Sequence, residues 1–178
     1  MNSIKIVTDS GADLGSELAQ QHNIELIPIP VEINNKQYQD YIDITPEQFY
    51  QKLDETDANP TTSRITPHQF NNIFSDLLAE YEQVIYISFS SQLSGIYESA
   101  VMAKNNMDTN NLSIIDSKAA SFGQGLIAIE AAKLAQNEIS TEKIITTINK
   151  AITTIEHVFA IGSLDMLKQG GRISSTKA

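Results

Sequence analysis

Val84-Ile85-Tyr86-Ile87-Ser88-Phe89-Ser90-Ser91-Gln92-Leu93-Ser94-Gly95 is the stretch on which the fold turns. Four residues of strong strand preference, with no polar residue among them, read as a strand buried on both faces, the habit of a parallel sheet. The chain then turns small and polar and runs toward a helix after Ser94. Working outward, Leu112-Ser113-Ile114-Ile115 and Val158-Phe159-Ala160-Ile161 are runs of the same kind, and Ile4-Lys5-Ile6-Val7 reads as a short strand. Ile24-Glu25-Leu26-Ile27-Pro28-Ile29 reads as a strand whose proline restricts it to an edge or an irregular position.

Helical signatures lie between these runs. Thr66-Pro67-His68-Gln69 and Thr45-Pro46-Glu47-Gln48 are capping-box patterns with proline at the first helical position. The first opens a stripe of Phe70, Ile73, Phe74, Leu77, Leu78 and Tyr81; the second precedes Phe49, Tyr50 and Leu53. Ile144, Ile145, Ile148, Ile152 and Ile155 mark an amphipathic helix after Ser140, and further helices are expected after Ser94 and after Gly123. Strands alternating with helices predict a Rossmann-like α/β domain, a parallel sheet with helices on both faces. We expect that domain over residues 1–155, the beginning of a second, truncated α/β subdomain over 156–178, and a long loop from Asp54 to Ile65.

Composition narrows the partners. Among 178 residues, 12 Lys+Arg against 22 Asp+Glu give a formal charge of −10 with no polybasic run, which disfavours nucleic acid and anionic membrane surfaces. The absence of cysteine removes disulfides, thiolate catalysis and Cys-ligated zinc, and it fits a reducing cytoplasm. No signal-peptide-like segment opens the sequence, and the most apolar stretch, Leu126-Ile127-Ala128-Ile129, is far short of the ~20 residues of a membrane span.

In open parallel sheets ligands lie beyond the carboxyl ends of the strands. There this sequence places Thr8-Asp9-Ser10-Gly11, Ser88 to Gly95, and Asp116-Ser117. A helix beginning near Ser94-Gly95 offers free N–H groups to an anion, although serines at such positions are commonly plain N-caps. The loop Asn59-Pro60-Thr61-Thr62-Ser63-Arg64 carries three hydroxyls in a row, equally readable as a loop held by its own side-chain bonds. Spacing leaves both questions open. No phosphate loop is present, and Gly123-Gln124-Gly125 lacks the third glycine of a dinucleotide motif. His22, His68 and His157 form no metal pair. An enzymatic alternative is a metal-dependent phosphotransferase-like or hydrolytic site using Asp9 and Asp116, for which turn capping is the plainer explanation.

Five segments in order then add a resemblance: Ile6-Val7-Thr8-Asp9-Ser10-Gly11-Ala12-Asp13-Leu14, Pro60-Thr61-Thr62-Ser63, Ile87 through Ala100, Ile115 through Gly125, and Leu167-Lys168-Gln169-Gly170-Gly171-Arg172-Ile173-Ser174. Together they resemble the DegV family of bacterial fatty-acid-binding proteins. The resemblance implies a long-chain fatty acid as ligand and no cofactor, with the carboxylate on Thr62 and Ser94 and with Thr61, Ser63, Ser91 and Gly95 around it. It also implies a carrier rather than a catalyst, one that presents the lipid to an ATP-dependent fatty acid kinase subunit docking at Arg172. Arg64-Ile65-Thr66, where the family often has Gln-Pro-Ser, and Gln92, where it often has glycine, depart from the pattern. A carboxylate bonded to hydroxyls gains about 1.5–3 kcal/mol per bond at most, whereas about 14 buried methylenes supply about 11 kcal/mol before association costs. Tail gives affinity; head gives register.

Overall fold

The computed structural model describes residues 3–55, 60–158, 160 and 162–173. Its centre is a four-stranded parallel sheet of β1 (Ile4–Asp9), β2 (Ile24–Ile27), β6 (Gln83–Ser88) and β7 (Leu112–Asp116), in the order β2-β1-β6-β7. The strand to which Val84–Ile87 belongs, β6, is an inner one, and β2 lies at the edge and ends at Ile27, one residue before Pro28.

Alternation along the strands divides the core into two layers. Ile6, Ile85 and Ile87 face α1 (Gly15–Gln21), α5 (Ser121–Gln136) and α6 (Thr141–Thr154), where Ile127, Ala128, Ala131, Ile144 and Ile148 are buried. Val7, Val84 and Tyr86 face α3 (Pro67–Glu80) and α4 (Ile96–Asn105), packing on Phe70, Phe74, Ile96 and Ala100. The rings of Phe70, Phe74 and Tyr86 lie within 5.2–5.7 Å of one another, centroid to centroid. Both capping boxes form: Thr66 and Gln69 bond reciprocally at the start of α3, and Thr45 and Gln48 do so before α2 (Pro46–Asp54). Helix α5 begins at Ser121, two residues before Gly123.

A second, antiparallel sheet is a feature the sequence reading lacked. It consists of β3 (Pro30–Ile33), β4 (Lys36–Gln39) and β5 (Thr61–Thr62), in the order β4-β3-β5. Asn34 and Asn35 both have positive φ, 53° and 61°, in a two-residue hairpin between Ile33 and Lys36. Such turns favour asparagine because it tolerates the left-handed region. The sheet packs Val31, Ile33 and Tyr38 with Ile44 and with Phe49 of α2.

The segment expected to be loop throughout, Asp54 to Ile65, therefore contains β5. A two-residue strand is defined by its partners, Val31 for Thr62 and Glu32 for Thr61, and has no periodicity of its own to read. The expected strand Val158–Ile161 includes Phe159 and Ile161, which lie outside the described residues; Val158 and Ala160 belong to no strand, and Val158 is 95% exposed. After it, α7 (Asp165–Gln169) is a short helix.

Candidate functional site

The carboxyl ends of β1, β6 and β7 form a row of acids and hydroxyls, most of them committed to the protein itself. Thr8 donates to the Ile87 carbonyl at 2.7 Å, and Ser88 donates to the Phe89 carbonyl. Ser10 accepts from the Ile29 amide. Ser90 accepts from the Gln92 amide, while Ser117 exchanges bonds with Ala119. Gln124 reaches in from α5 to bond Thr8 and the Ile87 carbonyl, and its Oε1 has no donor among the described residues.

Asp9 and Asp116 hold the loop after β6 from its two flanking strands. Fully buried Asp9 accepts from the Tyr86 hydroxyl at 2.7 Å, the Phe89 amide at 2.9 Å and the Gly11 amide at 3.2 Å. Burial pushes its carboxyl up from the ordinary aspartate value, a rise opposed chiefly by the Phe89 and Tyr86 bonds. Burial likewise drives the Tyr86 hydroxyl well above its usual value, with Asp9 adding to the effect. Asp116 accepts from the Ser91 amide at 3.1 Å, the Ser91 hydroxyl at 2.7 Å and the Lys118 amide at 3.0 Å. With β6 between their strands, the two acids stand about 10 Å apart at typical strand spacing, and each is saturated by protein donors. Among the described residues no cluster of three histidine, aspartate or glutamate side chains is placed to hold a metal. Their geometry is that of turn clamps.

Four hydroxyls behave differently. Among the described residues, the side chains of Thr61, Thr62, Ser63 and Ser94 make no hydrogen bond, although Ser63 is fixed through its amide to the Pro30 carbonyl at 3.0 Å. Ser94 does not cap α4. Gly95 is the N-cap residue, no side chain satisfies the first turn, and the Ser94 amide is held by the Ser90 carbonyl at 3.1 Å. The plain N-cap explanation of this serine is therefore set aside. Ser91, expected near the ligand, has its proton on Asp116.

Arg64 joins the two segments. A Cβ built on Gly95 would stand 2.7 Å from its Nη1, so the guanidinium lies against the start of α4. The arginine thus spans from the segment that follows β5 of the antiparallel sheet to the loop that follows β6 of the parallel one, reaching the residue beside Ser94.

The sequence from residue 3 to residue 178 matches the family described as uncharacterised protein, DegV family. The chain belongs to the DegV family. A DegV domain-containing protein of Caldanaerobacter subterraneus is 38% identical over 178 residues, all of this chain and 63% of that relative. The solved DegV of Bacillus subtilis, a fatty acid binding protein, superposes with a TM-score of 0.91 at 32% identity, covering 99% of this chain and 63% of that one. A fatty-acid-binding DegV family protein of Thermus thermophilus gives 0.86 at 30% identity, covering 98% and 62%. The chain thus spans a little under two thirds of the length of its DegV relatives.

Arg172, the remaining expected residue, follows α7. Gly171 has φ +71°, the Arg172 amide bonds the Leu167 carbonyl and the Gly171 amide bonds the Lys168 carbonyl, a Schellman closure of the helix. The exposed Arg172 side chain folds back to donate to the Gly170 carbonyl at 2.6 Å. Tyr86 and Gln124, absent from the sequence-based set, bond Asp9 and Thr8 beneath the strand ends. Tyr86 reads in the sequence as one more core residue of its strand, and Gln124 is a helix residue far along the chain from Thr8, so neither carries a signal.

Proposed function

We propose that this DegV protein is a carrier of a long-chain fatty acid, with the carboxylate on the hydroxyls of Thr62 and Ser94. The observation that carries this reading is the start of α4, which no side chain caps and which the Arg64 guanidinium touches, with the hydroxyls of Ser94 beside it and of Thr62 two residues before Arg64 having no protein partner among the described residues. Fatty-acid binding by the Bacillus subtilis and Thermus thermophilus relatives supports it. Exposed Leu93, beside Ser94, and Phe122 and Leu126, one turn apart at the start of α5, offer apolar surface at the same end of the sheet for the first part of the tail.

In this reading the protein works in the bacterial cytoplasm and supplies phospholipid metabolism. It presents the bound acid to a separate ATP-dependent kinase subunit, which forms the acyl phosphate. The chain itself is not the catalyst, since Asp9 and Asp116, the groups an enzymatic reading would use, are both engaged in holding loops. Denaturing mass spectrometry of an organic extract of the full-length protein tests the carrier. One equivalent of a long-chain acid is expected; a clean extract together with Mg²⁺-dependent phosphatase activity would overturn the reading.

A further inference from the structure

Arg64 has a fixed backbone and a side chain with no counter-charge. On one side Thr62 pairs with Val31 and the Ser63 amide bonds Pro30; on the other Ile65 is 2% exposed in the core and Thr66 caps α3. The chain around Arg64 is therefore held in register. Its guanidinium lies where a side chain at position 95 would begin, with Cζ 3.4 Å and Cδ 3.5 Å from a Cβ placed there. The backbone of Gly95, φ −80° and ψ 16°, is open to any residue. The room that glycine leaves at that position is filled by the arginine, which a side chain there would push aside.

The charge balance there is incomplete. The protein has 22 acidic residues, yet among the described residues no carboxylate lies within 4 Å of Arg64 and it makes no hydrogen bond. The guanidinium stands instead at the amino end of α4, which carries partial positive charge. Arg64 is exposed, so water screens part of that repulsion, and an anion bound between the guanidinium and the helix end would be attracted by both.

We propose that Arg64 is the charge-selecting residue of the head-group site, pairing with the ionised carboxylate and discriminating against lipids with an uncharged head. The proposal rests on the fatty-acid reading. Hydroxyls serve an acid and an alcohol nearly alike, because each presents oxygen acceptors; a guanidinium distinguishes them, because only the carboxylate has charge. Selectivity should accordingly fade as pH falls through the ligand's own carboxyl range.

The test measures displacement of a fluorescent acyl probe from the full-length protein by palmitate and by hexadecanol. Wild type should prefer palmitate, and Arg64→Gln should weaken palmitate by about tenfold or more while leaving hexadecanol unchanged, with Arg64→Lys intermediate. Gly95→Ala should reproduce the loss by displacing the guanidinium, and should add nothing in the Arg64→Gln background. An unchanged palmitate-to-hexadecanol ratio in Arg64→Gln overturns the role of Arg64 and leaves the carrier intact. Binding of neither probe by wild type overturns the carrier reading and the arginine's role with it.

Discussion

Asp9 shows how one buried side chain fixes a binding loop at a cost in charge. Its carboxyl accepts from Tyr86, Phe89 and Gly11, and burial raises its pKa above the unfolded value. A carboxyl with a raised folded pKa contributes most stability below its unfolded pKa, about 3.9, and loses that contribution as pH climbs through the folded value. Asp9→Asn does not titrate. Urea midpoints of wild type should therefore decline relative to Asp9→Asn as pH rises from about 4; parallel profiles would show that the group is not perturbed. Asp9→Ala leaves the Tyr86 hydroxyl and the Phe89 amide without an acceptor and should cost about 2–4 kcal/mol at any pH. At the head group, Thr62→Val and Ser94→Ala should each weaken fatty-acid binding by about one to two decades without lowering the melting temperature, since neither side chain has a protein partner to lose. Unchanged affinity in both variants, read by acyl-probe displacement, would contradict the assignment.

At the scale of elements, the sequence displayed what local rules govern. Thr-Pro-Glu-Gln and Thr-Pro-His-Gln placed the starts of α2 and α3, and the apolar run at Val84–Ile87 marked an inner parallel strand because burial on both faces leaves no polar alternation. The antiparallel sheet escaped since its strands are short and β5 exists only through Val31 and Glu32, although Asn34-Asn35 was a usable hairpin signal. The site was half legible. Serine and threonine at strand ends drew notice, but the sequence shows all such hydroxyls as equals, and only the hydrogen bonds separate the committed ones from Thr62 and Ser94. The loop after β6 depends on Asp116 as well as Asp9. Asp116→Ala, which frees the Ser91 amide and hydroxyl, should lower fatty-acid affinity about tenfold through a loosened Ser94, with the urea m-value preserved. Full affinity in that variant would mean that Ser94 is placed without the clamp.

For the whole molecule, net charge and partner choice belong together. A chain of formal charge −10 exposes Arg172 at the closed end of α7, one turn after exposed Lys168, as a cationic spot in an acidic chain. Such a contact governs association with a partner of opposite sign more than it governs the pocket. Arg172→Ala in the full-length protein should bind fatty acid normally yet support less acyl-phosphate formation when the kinase subunit and ATP are added, and Arg172→Glu should be worse. Loss of lipid in Arg172→Ala would move the residue into the pocket; a normal kinase rate would reduce it to a helix terminator.

In the proposed carrier the two sheets would act as the leaves of a clasp. Thr62 rides on a strand with only two ladder partners and Ser94 follows a strand of the parallel sheet, so opening β5 would withdraw one of the two proposed hydroxyls from the carboxylate. The Ser63 amide, bonded to the Pro30 carbonyl, then exchanges its hydrogen only when the leaves part. With free ligand at a hundred times Kd, that exchange should slow about a hundredfold. Occupancy of the proposed carrier would thus become readable, isotope by isotope, at a backbone hydrogen of the small sheet.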